Sequence, residues 1–220
     1  MKISYAITVC NELKEIQRLI PYLVKNKNTN DEVIVLFDNK NGSKSVEEFL
    51  RAKSINGEFN WFNYSFDGHF ANMKNRLTEM CSGDYIYQID ADEMIHEDMF
   101  HYLPYILEQN EDVDVYQVPR INTVEGLTQN HIKKWGWRVD KKGWVNYPDY
   151  QARVFRNTED IRWTRPLHEY IKGCKTYAHL PPHEELSLYH PKTKQKQEQQ
   201  NQFYMDNFHR DLLVRRTNGT

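Results

Sequence analysis

Two aspartates separated by one residue, Asp90 and Asp92, stand directly after the apolar run 85–89. In an extended segment, side chains at positions i and i+2 point the same way, so both carboxylates can face one point. Two like charges held close together repel each other unless a cation lies between them. Carboxylate oxygens suit Mg²⁺ or Mn²⁺, which leave positions open for substrate phosphates. The pair therefore predicts a divalent-metal site; the alternative is a solvated acidic turn after a strand.

Two further groups of polar side chains favour the metal-site interpretation. The apolar run 32–37 ends in Asp38, whose carboxylate can accept hydrogen bonds from a ribose or a base edge, or can instead form a turn. Residues 70–76 place Lys74, Asn75 and Arg76 on one turn of a predicted helix. The start of such a helix can meet a diphosphate, and the alternative is a solvated helix face.

The elements that must position these residues alternate between strands and helices over the first 120 residues. Short apolar runs rich in β-formers predict strands at 3–10, 32–37, 61–64, 85–89 and 115–118. Helical spacing of apolar residues predicts helices from residue 13, over 46–52, over 70–80 and over 97–108. Pro21 is expected to kink or end the first helix, and Gly83 to stop the third. This alternation is typical of an α/β fold with a parallel sheet, which binds ligands at the C-terminal ends of its strands.

The second half of the chain has a different pattern, in which aromatic and basic side chains interleave. Trp and Tyr faces bind sugar rings by stacking, and Lys and Arg attract phosphates, so segment 133–144 is a candidate groove for a sugar-bearing or phosphorylated ligand. The residues predicted to bind this ligand, which is the acceptor in the interpretation given below, are Trp135, Trp137, Lys141, Trp144, Gln151 and Arg153. Short strands are predicted at 151–155 and near Trp163. A polar helix should follow residue 191, and its side chains Phe203, Met205 and Phe208 should contact the rest of the domain. The end of the chain at 215–220 should be frayed.

Composition limits the class of protein. The 220 residues carry a formal net charge of −2 and can form one domain with no metal or disulfide staple. The three cysteines are widely spaced, which argues against a disulfide framework and favours a reducing, cytoplasmic compartment. No stretch approaches the ~20 apolar residues of a membrane span, so we expect no transmembrane segment and at most peripheral membrane contact. The oligomeric state stays open.

Several segments, in order along the chain, resemble the motifs of one enzyme family. Ile-Thr-Val-Cys-Asn-Glu at 7–12 follows the opening strand, and the segments 70–76, 83–86 and 90–93 follow at similar spacing. In this respect the chain resembles the family-two glycosyltransferases with the GT-A fold. Tyr-Pro-Asp-Tyr-Gln-Ala-Arg-Val-Phe-Arg at 147–156 and His-Glu at 168–169 are similar to the branch that includes lipopolysaccharide-core enzymes. The resemblance covers about residues 3–190.

The resemblance implies a GT-A fold, which is a Rossmann-like, mostly parallel central sheet flanked by helices, with a smaller C-terminal region on the acceptor side. It implies a single domain, with residues 1–120 as the nucleotide-sugar half, 121–190 as the acceptor half and 191–220 as a C-terminal helix and tail. It also implies a nucleotide-sugar donor, with UDP-sugars favoured, Mn²⁺ or Mg²⁺ as cofactor, and inversion at the anomeric carbon.

By position, the resemblance assigns site residues. The implied nucleotide-sugar ligands are Thr8, Asn11, Glu12, Asp38, Lys74, Asn75, Asp90 and Ala91. The implied metal ligands are Asp90 and Asp92, with His168 or His190 as candidates to complete the shell. An inverting transfer also needs a general base for the acceptor hydroxyl. Glu169 is the first candidate and Asp149 the second; the alternative for the pair His168–Glu169 is a structural role.

Two departures from the family pattern matter. The turn after the second strand reads Asp-Asn-Lys-Asn-Gly-Ser at 38–43, which differs from the usual acidic and Gly-Ser turn and leaves the donor base open. The C-terminal part is short and has no predicted membrane helix, which argues against a processive polysaccharide synthase.

The acceptor stays open between two classes. A glycan or lipid-linked saccharide fits the branch, whereas DNA with hydroxymethylated bases, the acceptor of some bacteriophage enzymes, fits the small size and would place the protein in a host cytoplasm. The net charge of −2 counts mildly against DNA. A non-catalytic sugar- or nucleotide-binding module is a further alternative, against which Asp90, Asp92 and Glu169 argue. A nucleotidyltransferase is disfavoured because no Gly-rich, basic phosphate loop follows the first strand.

Overall fold

The computed structural model describes residues 1–208, so the predicted end segment 215–220 lies outside the described residues. The strands are β1 (Ile3–Val9), β2 (Glu32–Asp38), β3 (Asn60–Tyr64), β4 (Tyr85–Asp90), β5 (Met94–Ile95), β6 (Val115–Glu125), β7 (Val145–Arg156), β8 (Arg162–Thr164), β9 (Tyr170–Lys172), β10 (Tyr177–His179) and β11 (Leu188–Thr193). The helices are α1 (Leu13–Asn26), α2 (Lys44–Lys53), α3 (Phe70–Met80), α4 (Met99–Gln109), α5 (Gln129–Trp135) and α6 (Lys194–Asn207).

The central sheet has the strand order β3-β2-β1-β4-β7-β6-β11-β5, and β10 also pairs with β6. Strands β3, β2, β1 and β4 are parallel to one another, and β6 is parallel to β11, whereas β7 runs antiparallel to both β4 and β6, and β5 runs antiparallel to β11. Strands β8 and β9 form a separate hairpin. The predicted α/β fold with a mostly parallel central sheet flanked by helices is confirmed.

Helices cover both faces of this sheet because strand side chains alternate between the two faces. In β1, Tyr5 and Ile7 belong to the apolar cluster that α1, α2 and α4 cover, whereas Ala6 belongs to the cluster that α3 covers. Helix α1 presents its apolar stripe at helical spacing, and its buried side chains are those of Ile16, Leu19, Ile20 and Leu23. The core therefore holds the C-terminal ends of β1, β2 and β4 in place from both sides.

Two predicted helix ends differ from the structure. Pro21 lies inside α1, which continues to Asn26. Helix α3 ends at Met80, so Gly83 does not stop it. Gly83 instead passes close to β1, where its N–H donates to Ser4 Oγ at 2.9 Å. A Cβ atom at this position would lie 2.7 Å from Ser4 Oγ, so the close approach of the two segments requires glycine.

The second half of the chain extends the sheet rather than forming a separate layer. The strands predicted at 115–118 and 151–155 are parts of the longer strands β6 and β7. These two strands pair with each other, and in their register Arg120 lies opposite Asp149. Because β6 runs through residue 120, the predicted nucleotide-sugar and acceptor halves share a strand.

Helix α6 contacts the body through a different face from the one predicted. The Phe208 ring lies 6.0 Å from the Phe70 ring, as predicted, but Phe203 and Met205 are 45% and 58% exposed. The helix ends at Asn207, and the Tyr204 ring, which lies 6.1 Å from the His168 ring, makes a further contact with the body. Among the described residues, no helix is both long enough and apolar enough to cross a bilayer.

Candidate active site

A cleft of about 2680 Å³ runs along the C-terminal edge of β1, β2 and β4. Parallel strands of one sheet bring their C-terminal ends to this common edge. The predicted site residues that line the cleft are Thr8, Asn11, Glu12, Asp38, Lys74, Asp90, Ala91, Asp92, Trp135, Trp137, Asp149, Gln151, Arg153, His168, Glu169 and His190. The structure therefore brings most of the predicted residues together.

Asp90 ends β4 and is held by cations from two neighbouring elements. Arg153 Nη2 on β7 donates to Asp90 Oδ2, and Lys74 Nζ on α3 lies 4.0 Å from Asp90 Oδ1. Burial raises the pKa of Asp90, but the charges of Arg153 and Lys74 outweigh burial and hold the pKa well below its usual range. The Asp90 side chain is 34% exposed, so an ionised carboxylate faces the cleft at neutral pH.

Arg153, predicted to bind the acceptor, is instead a buried cation that holds the site together. Its Nη2 lies 2.6 Å from Glu93 Oε1, and Glu93 is fully buried. Glu93 Oε1 also accepts from Arg120 Nη1 at 3.1 Å, and Glu93 Oε2 accepts from the Asp90 backbone N–H at 3.1 Å. A buried charge is costly unless it is paired, so the partners of Arg153 are internal carboxylates rather than an external ligand.

Asp149 belongs to the same network of charges. Its Oδ2 accepts from Arg120 Nη2 at 2.7 Å and from Asn122 Nδ2 at 2.9 Å. Its Oδ1 accepts from Gln151 Nε2 at 2.8 Å. Because several donors already engage both oxygens, a proton taken up by Asp149 would displace existing hydrogen bonds. This arrangement suits a positioning group better than a general base.

Asp92 is held by the C-terminal part of the chain. Its Oδ2 lies 3.5 Å from His190 Nε2, 3.9 Å from Lys192 Nζ and 3.5 Å from Lys196 Nζ. Burial raises the pKa of Asp92, but the hydrogen bond with His190 and the lysine charges outweigh burial and hold the pKa well below its usual range. Burial also lowers the pKa of His190, against the effect of Asp92. The second carboxylate of the pair is thus also an anion at neutral pH.

The chemistry of these side chains decides whether a divalent cation fits. Within residues 1–208, no group of three or more His, Cys, Asp and Glu side chains is arranged to hold a metal ion. His168 and His190 therefore do not complete a preformed shell with Asp90 and Asp92. Mg²⁺ needs no such shell, because it usually binds one or two carboxylates and takes its remaining ligands from water and substrate phosphates. The two ionised carboxylates fit this open kind of site.

Glu169 faces the cleft on the other side of Lys74. Lys74 Nζ lies 3.6 Å from Glu169 Oε2 and 4.5 Å from the centre of the Trp163 ring. Glu169 precedes β9, and the β8–β9 turn reverses the chain through positive φ angles of 77° at Arg165 and 53° at His168. The Glu169 side chain is 14% exposed and lines the cleft beside the Lys74 ammonium group.

Glu12 and Asp38, both predicted to bind the nucleotide-sugar donor, also accept backbone hydrogen bonds in the turns at the edge of the sheet. Glu12 Oε2 accepts from the backbone N–H groups of Cys10 and Asn11, at 2.8 and 2.9 Å. Asp38 is 4% exposed, and its Oδ1 accepts from the backbone N–H of Lys40 at 3.0 Å. The turn-forming alternative considered for Asp38 thus describes its contacts, while both residues still line the cleft.

Three predicted residues lie outside the cleft lining. The amide of Asn75 exchanges two hydrogen bonds with the Trp163 backbone, at 2.8 and 2.9 Å, and so ties α3 to β8. Lys141 is exposed in a turn. The Trp144 ring packs against Lys142 Nζ at 4.2 Å. Within segment 133–144, the part that lines the cleft includes Trp135 and Trp137, whose ring centres are 4.6 Å apart.

Sequence reasoning missed four charged residues that hold the site together, namely Glu93, Arg120, Lys192 and Lys196. Arg120 stands in the mostly apolar start of β6, and a charge inside a buried strand is a signal of internal pairing. Asp149 and Gln151 have strand spacing, which puts them on one face of β7, whereas the β6–β7 register shifts between Ala152 and Val154, so strand spacing does not predict the direction of Arg153. Lys196 lies in the polar first half of α6, where nothing in the sequence distinguishes it from its neighbours.

Comparison with known proteins adds to this geometry. The model of the family described as glycosyl transferase family 2 matches residues 4–181. No protein of curated function matches the chain at a significant level.

Solved structures share the fold. The structure of S. aureus TarS 1-349 in complex with UDP-GlcNAc superposes with a TM-score of 0.60 at 16% identity, over 87% of this chain and 58% of that one. A structure of S. aureus TarS with UDP gives 0.59 at 15% identity over 87% and 60%. A longer TarS structure gives 0.60 at 15% identity over 87% and 37%. The chain thus spans less than two thirds of each of these structures, and at such identities the likeness shows the fold alone.

Proposed function

Since the chain belongs to glycosyl transferase family 2, we propose that it is a metal-dependent, inverting enzyme that transfers a sugar from a nucleotide-sugar donor to an acceptor hydroxyl. Membership of the family makes it a nucleotide-sugar glycosyltransferase; the metal, the inversion and the acceptor are the proposal. UDP-sugars are the favoured donors, and the complexes of TarS with UDP-GlcNAc and with UDP support this choice. The resemblance of residues 147–156 to the lipopolysaccharide-core branch stays a prediction.

The single observation that carries the proposal is the pair of ionised carboxylates, Asp90 and Asp92, at the end of the central strand β4 and inside the cleft. A divalent cation bound there would neutralise the charge that develops on the departing diphosphate. Asp90 and Asp92 would hold this ion as Mg²⁺ or Mn²⁺. The protein's own cations keep both carboxylates ionised, which keeps them available as ligands at neutral pH.

Glu169 is the proposed general base. The acceptor oxygen attacks the anomeric carbon, the bond from that carbon to the diphosphate oxygen breaks, and the hydroxyl proton passes to the Glu169 carboxylate. Glu169 lines the cleft and has one ammonium partner, Lys74, 3.6 Å away, whereas Asp149 accepts hydrogen bonds on both oxygens. The less constrained carboxylate is the better proton acceptor, so Asp149 is assigned a positioning role.

The proposed acceptor is a glycan or a lipid-linked saccharide. Trp135 and Trp137 line the cleft as a tilted pair, and aromatic faces of this kind stack on sugar rings. Gln151 lines the same wall of the cleft, next to Asp149. Arg153 is not included in the acceptor site because its guanidinium is used internally.

A donor panel tests the proposal. The protein is incubated with Mn²⁺ or Mg²⁺ and, separately, with UDP-, GDP-, ADP-, CDP- and dTDP-sugars, and slow hydrolysis of each donor is measured by release of the nucleoside diphosphate. We expect hydrolysis of one donor class, stopped by EDTA and restored by added metal. The variant Asp92→Asn serves as the background control. Nucleotide binding that is independent of metal, without hydrolysis of any donor, would indicate a non-catalytic binding module instead.

A further inference from the structure

Helix α6 covers one side of the cleft with polar side chains. Lys196, Gln200 and Tyr204 are spaced four residues apart, so they share one face of the helix, and all three line the cleft. No residue of this fully described helix is buried, so little apolar surface holds it in place. Segments with few buried apolar contacts open at a low free-energy cost. Beyond the ring contacts of Tyr204 and Phe208 near its C-terminal end, the attachment of α6 therefore depends on polar contacts.

The contacts of Lys196 are the ones that connect α6 to the metal side of the cleft. Lys196 Nζ lies 3.0 Å from Glu15 Oε1 on α1 and 3.5 Å from Asp92 Oδ2. Lys192 Nζ lies 3.9 Å from the same Asp92 oxygen. Two ammonium groups and two carboxylates thus balance each other at this place while Asp92 has only protein partners.

Binding of a divalent cation at Asp92 would upset this balance. The ion would lie close to two ammonium groups, and like charges at short range repel each other. The nearest remedy is an anion that neutralises the added charge, and a nucleoside diphosphate supplies several anionic oxygens. Lysine suits this exchange because its ammonium group is a point charge on a flexible four-carbon stem. Lys196 is also 37% exposed, so its head group can turn without rearrangement of the core.

We propose that Lys196 changes partners when metal and donor bind: its ammonium group leaves Asp92 and binds the diphosphate of the donor, so that α6 forms part of the donor site. In the free protein Lys196 competes with metal for Asp92, and in the complex it stabilises the diphosphate. This inference rests on the proposed function, and it adds a residue from the C-terminal helix to the binding of the leaving group.

Isothermal titration calorimetry of two matched variants tests the exchange. Lys196→Gln removes the ammonium group in question, and Lys194→Gln removes the same charge from the same helix at a position outside the cleft lining. Each protein is titrated with Mn²⁺ alone, and then, in saturating Mn²⁺, with UDP and UMP and with GDP and GMP. Thermal unfolding of both variants shows whether each is folded as the unaltered chain is.

The exchange predicts effects of opposite sign in Lys196→Gln. Mn²⁺ alone should bind about threefold more tightly, because a competing cation has been removed. The diphosphate should bind about tenfold more weakly, because a charge-assisted hydrogen bond is lost, while the monophosphate changes by less than about threefold. Lys194→Gln should change all of these affinities by less than about twofold. Unchanged Mn²⁺ affinity in Lys196→Gln, or equal weakening of diphosphate and monophosphate, would overturn the exchange.

The same titrations separate this inference from the proposed function. If the unaltered chain binds neither UDP nor GDP in the presence of Mn²⁺ and hydrolyses none of the donor sugars, the proposed function is wrong and the inference is wrong with it. If the unaltered chain binds a diphosphate and hydrolyses its sugar ester, but Lys196→Gln behaves like Lys194→Gln, only the role of Lys196 is wrong.

Discussion

Asp90 and Asp92 are separated by one residue in the chain, yet different parts of the molecule hold them. Asp90 is paired with Arg153, which is 3% exposed and lies on a central strand, and with Lys74, which is also buried. Asp92 is paired with residues of β11 and α6, of which Lys196 is 37% exposed. Asp90 is thus held by buried cations, whereas Asp92 has two buried partners, His190 and Lys192, and one partly exposed partner, Lys196.

This difference shows how one carboxylate of a site can keep a fixed position while the other changes its partners when a ligand binds. A group held by buried charges keeps its position, because removing one partner leaves an uncompensated charge in the interior. A group held by a partly exposed lysine can exchange that partner at little cost, since exposed ion pairs contribute little to stability. We expect Asp90 to set the position of the metal and Asp92 to respond to what enters the cleft.

The largest expected effect separates the two carboxylates directly. Asp92→Asn should reduce donor turnover in Mn²⁺ by about 1000-fold, because the metal loses a ligand. It should lower the melting temperature by only a few degrees, because the amide oxygen can still accept a hydrogen bond from His190 and the exposed Lys196 can turn to solvent. Asp90→Asn should lose similar activity and also about 1–3 kcal/mol of stability, because Arg153 keeps one partner instead of two. Hydrolysis assays and thermal unfolding measure both. Equal stabilities for the two variants would break the comparison.

Substitution of Arg153 and Lys196, the cations that pair with Asp90 and Asp92, tests the same contrast. Arg153→Met should destabilise the fold by about 3–5 kcal/mol, because Asp90 and Glu93 lose a buried partner. Lys196→Met should change stability by less than about 1 kcal/mol, because its ion pairs are partly exposed. Urea unfolding of both variants gives the two free energies. If Lys196→Met lowers the free energy of unfolding as much as Arg153→Met does, the ion pairs of α6 stabilise the fold as strongly as those of β7.

A smaller effect on turnover is expected at Glu169, which shares Lys74 with Asp90. Glu169→Gln should lower transfer to the acceptor by about 100-fold, because the amide keeps the shape of the side chain but cannot accept the proton. Nucleotide affinity should stay within about threefold of that of the unaltered chain. Rates of transfer and calorimetric titration with the nucleoside diphosphate check both parts. Transfer at close to the normal rate would move the search for the base to Asp149.

The smallest effect concerns a reference carboxylate far from the cleft. Glu32, at the start of β2, accepts hydrogen bonds from Lys2 Nζ at 2.7 Å, Ser4 Oγ at 2.6 Å and the Ser82 backbone N–H at 2.6 Å. Burial raises the pKa of Glu32, but these three partners together lower it to about 2. The unfolded chain has a pKa near 4.3 at this residue, so the stabilisation is complete above that pH and is lost as the pH falls towards 2.

Glu32→Gln should therefore cost about 2 kcal/mol above pH 5, and the difference from the unaltered chain should shrink between about pH 4.5 and pH 2. Donor turnover at pH 7 should be unaffected, since Glu32 lies at the opposite end of the strands from Asp90. Unfolding at a series of pH values measures this change. A difference that grows as the pH falls would reverse the assigned sign.

Much of the fold and part of the site could be predicted from the sequence because the responsible signals are local. The strand 85–89, followed by two aspartates at strand spacing, predicts where Asp90 lies. The alternation of strands and helices predicts that Asp38 lies at the same edge of the sheet, and both residues line the cleft. Strands of two or three residues, such as β5 and β10, are too short to show a period.

Long-range pairing accounts for what could not be predicted. Asp92 meets Lys192 and Lys196 across about a hundred residues of chain, and neither lysine stands in a pattern that sets it apart from solvated lysines. The inward direction of Arg153 depends on Glu93, a contact between residues 60 positions apart. Spacing along one segment can predict a shared face, but it does not say which element packs against that face.

The connection between β6 and β7 is a part of the chain whose length and sequence can vary without disturbing the sheet. Residues 126–144 leave the sheet after β6 and return to it at β7, and they carry α5 with Trp135 and Trp137. Loops of this kind tolerate insertions and deletions, whereas a residue gained or lost between Asp149 and Arg153 would change the faces that these two side chains occupy relative to each other. If Trp135 and Trp137 bind the acceptor as proposed, descendants of such a gene could acquire new acceptors by changing this loop alone, while inheriting the carboxylate and arginine framework unaltered.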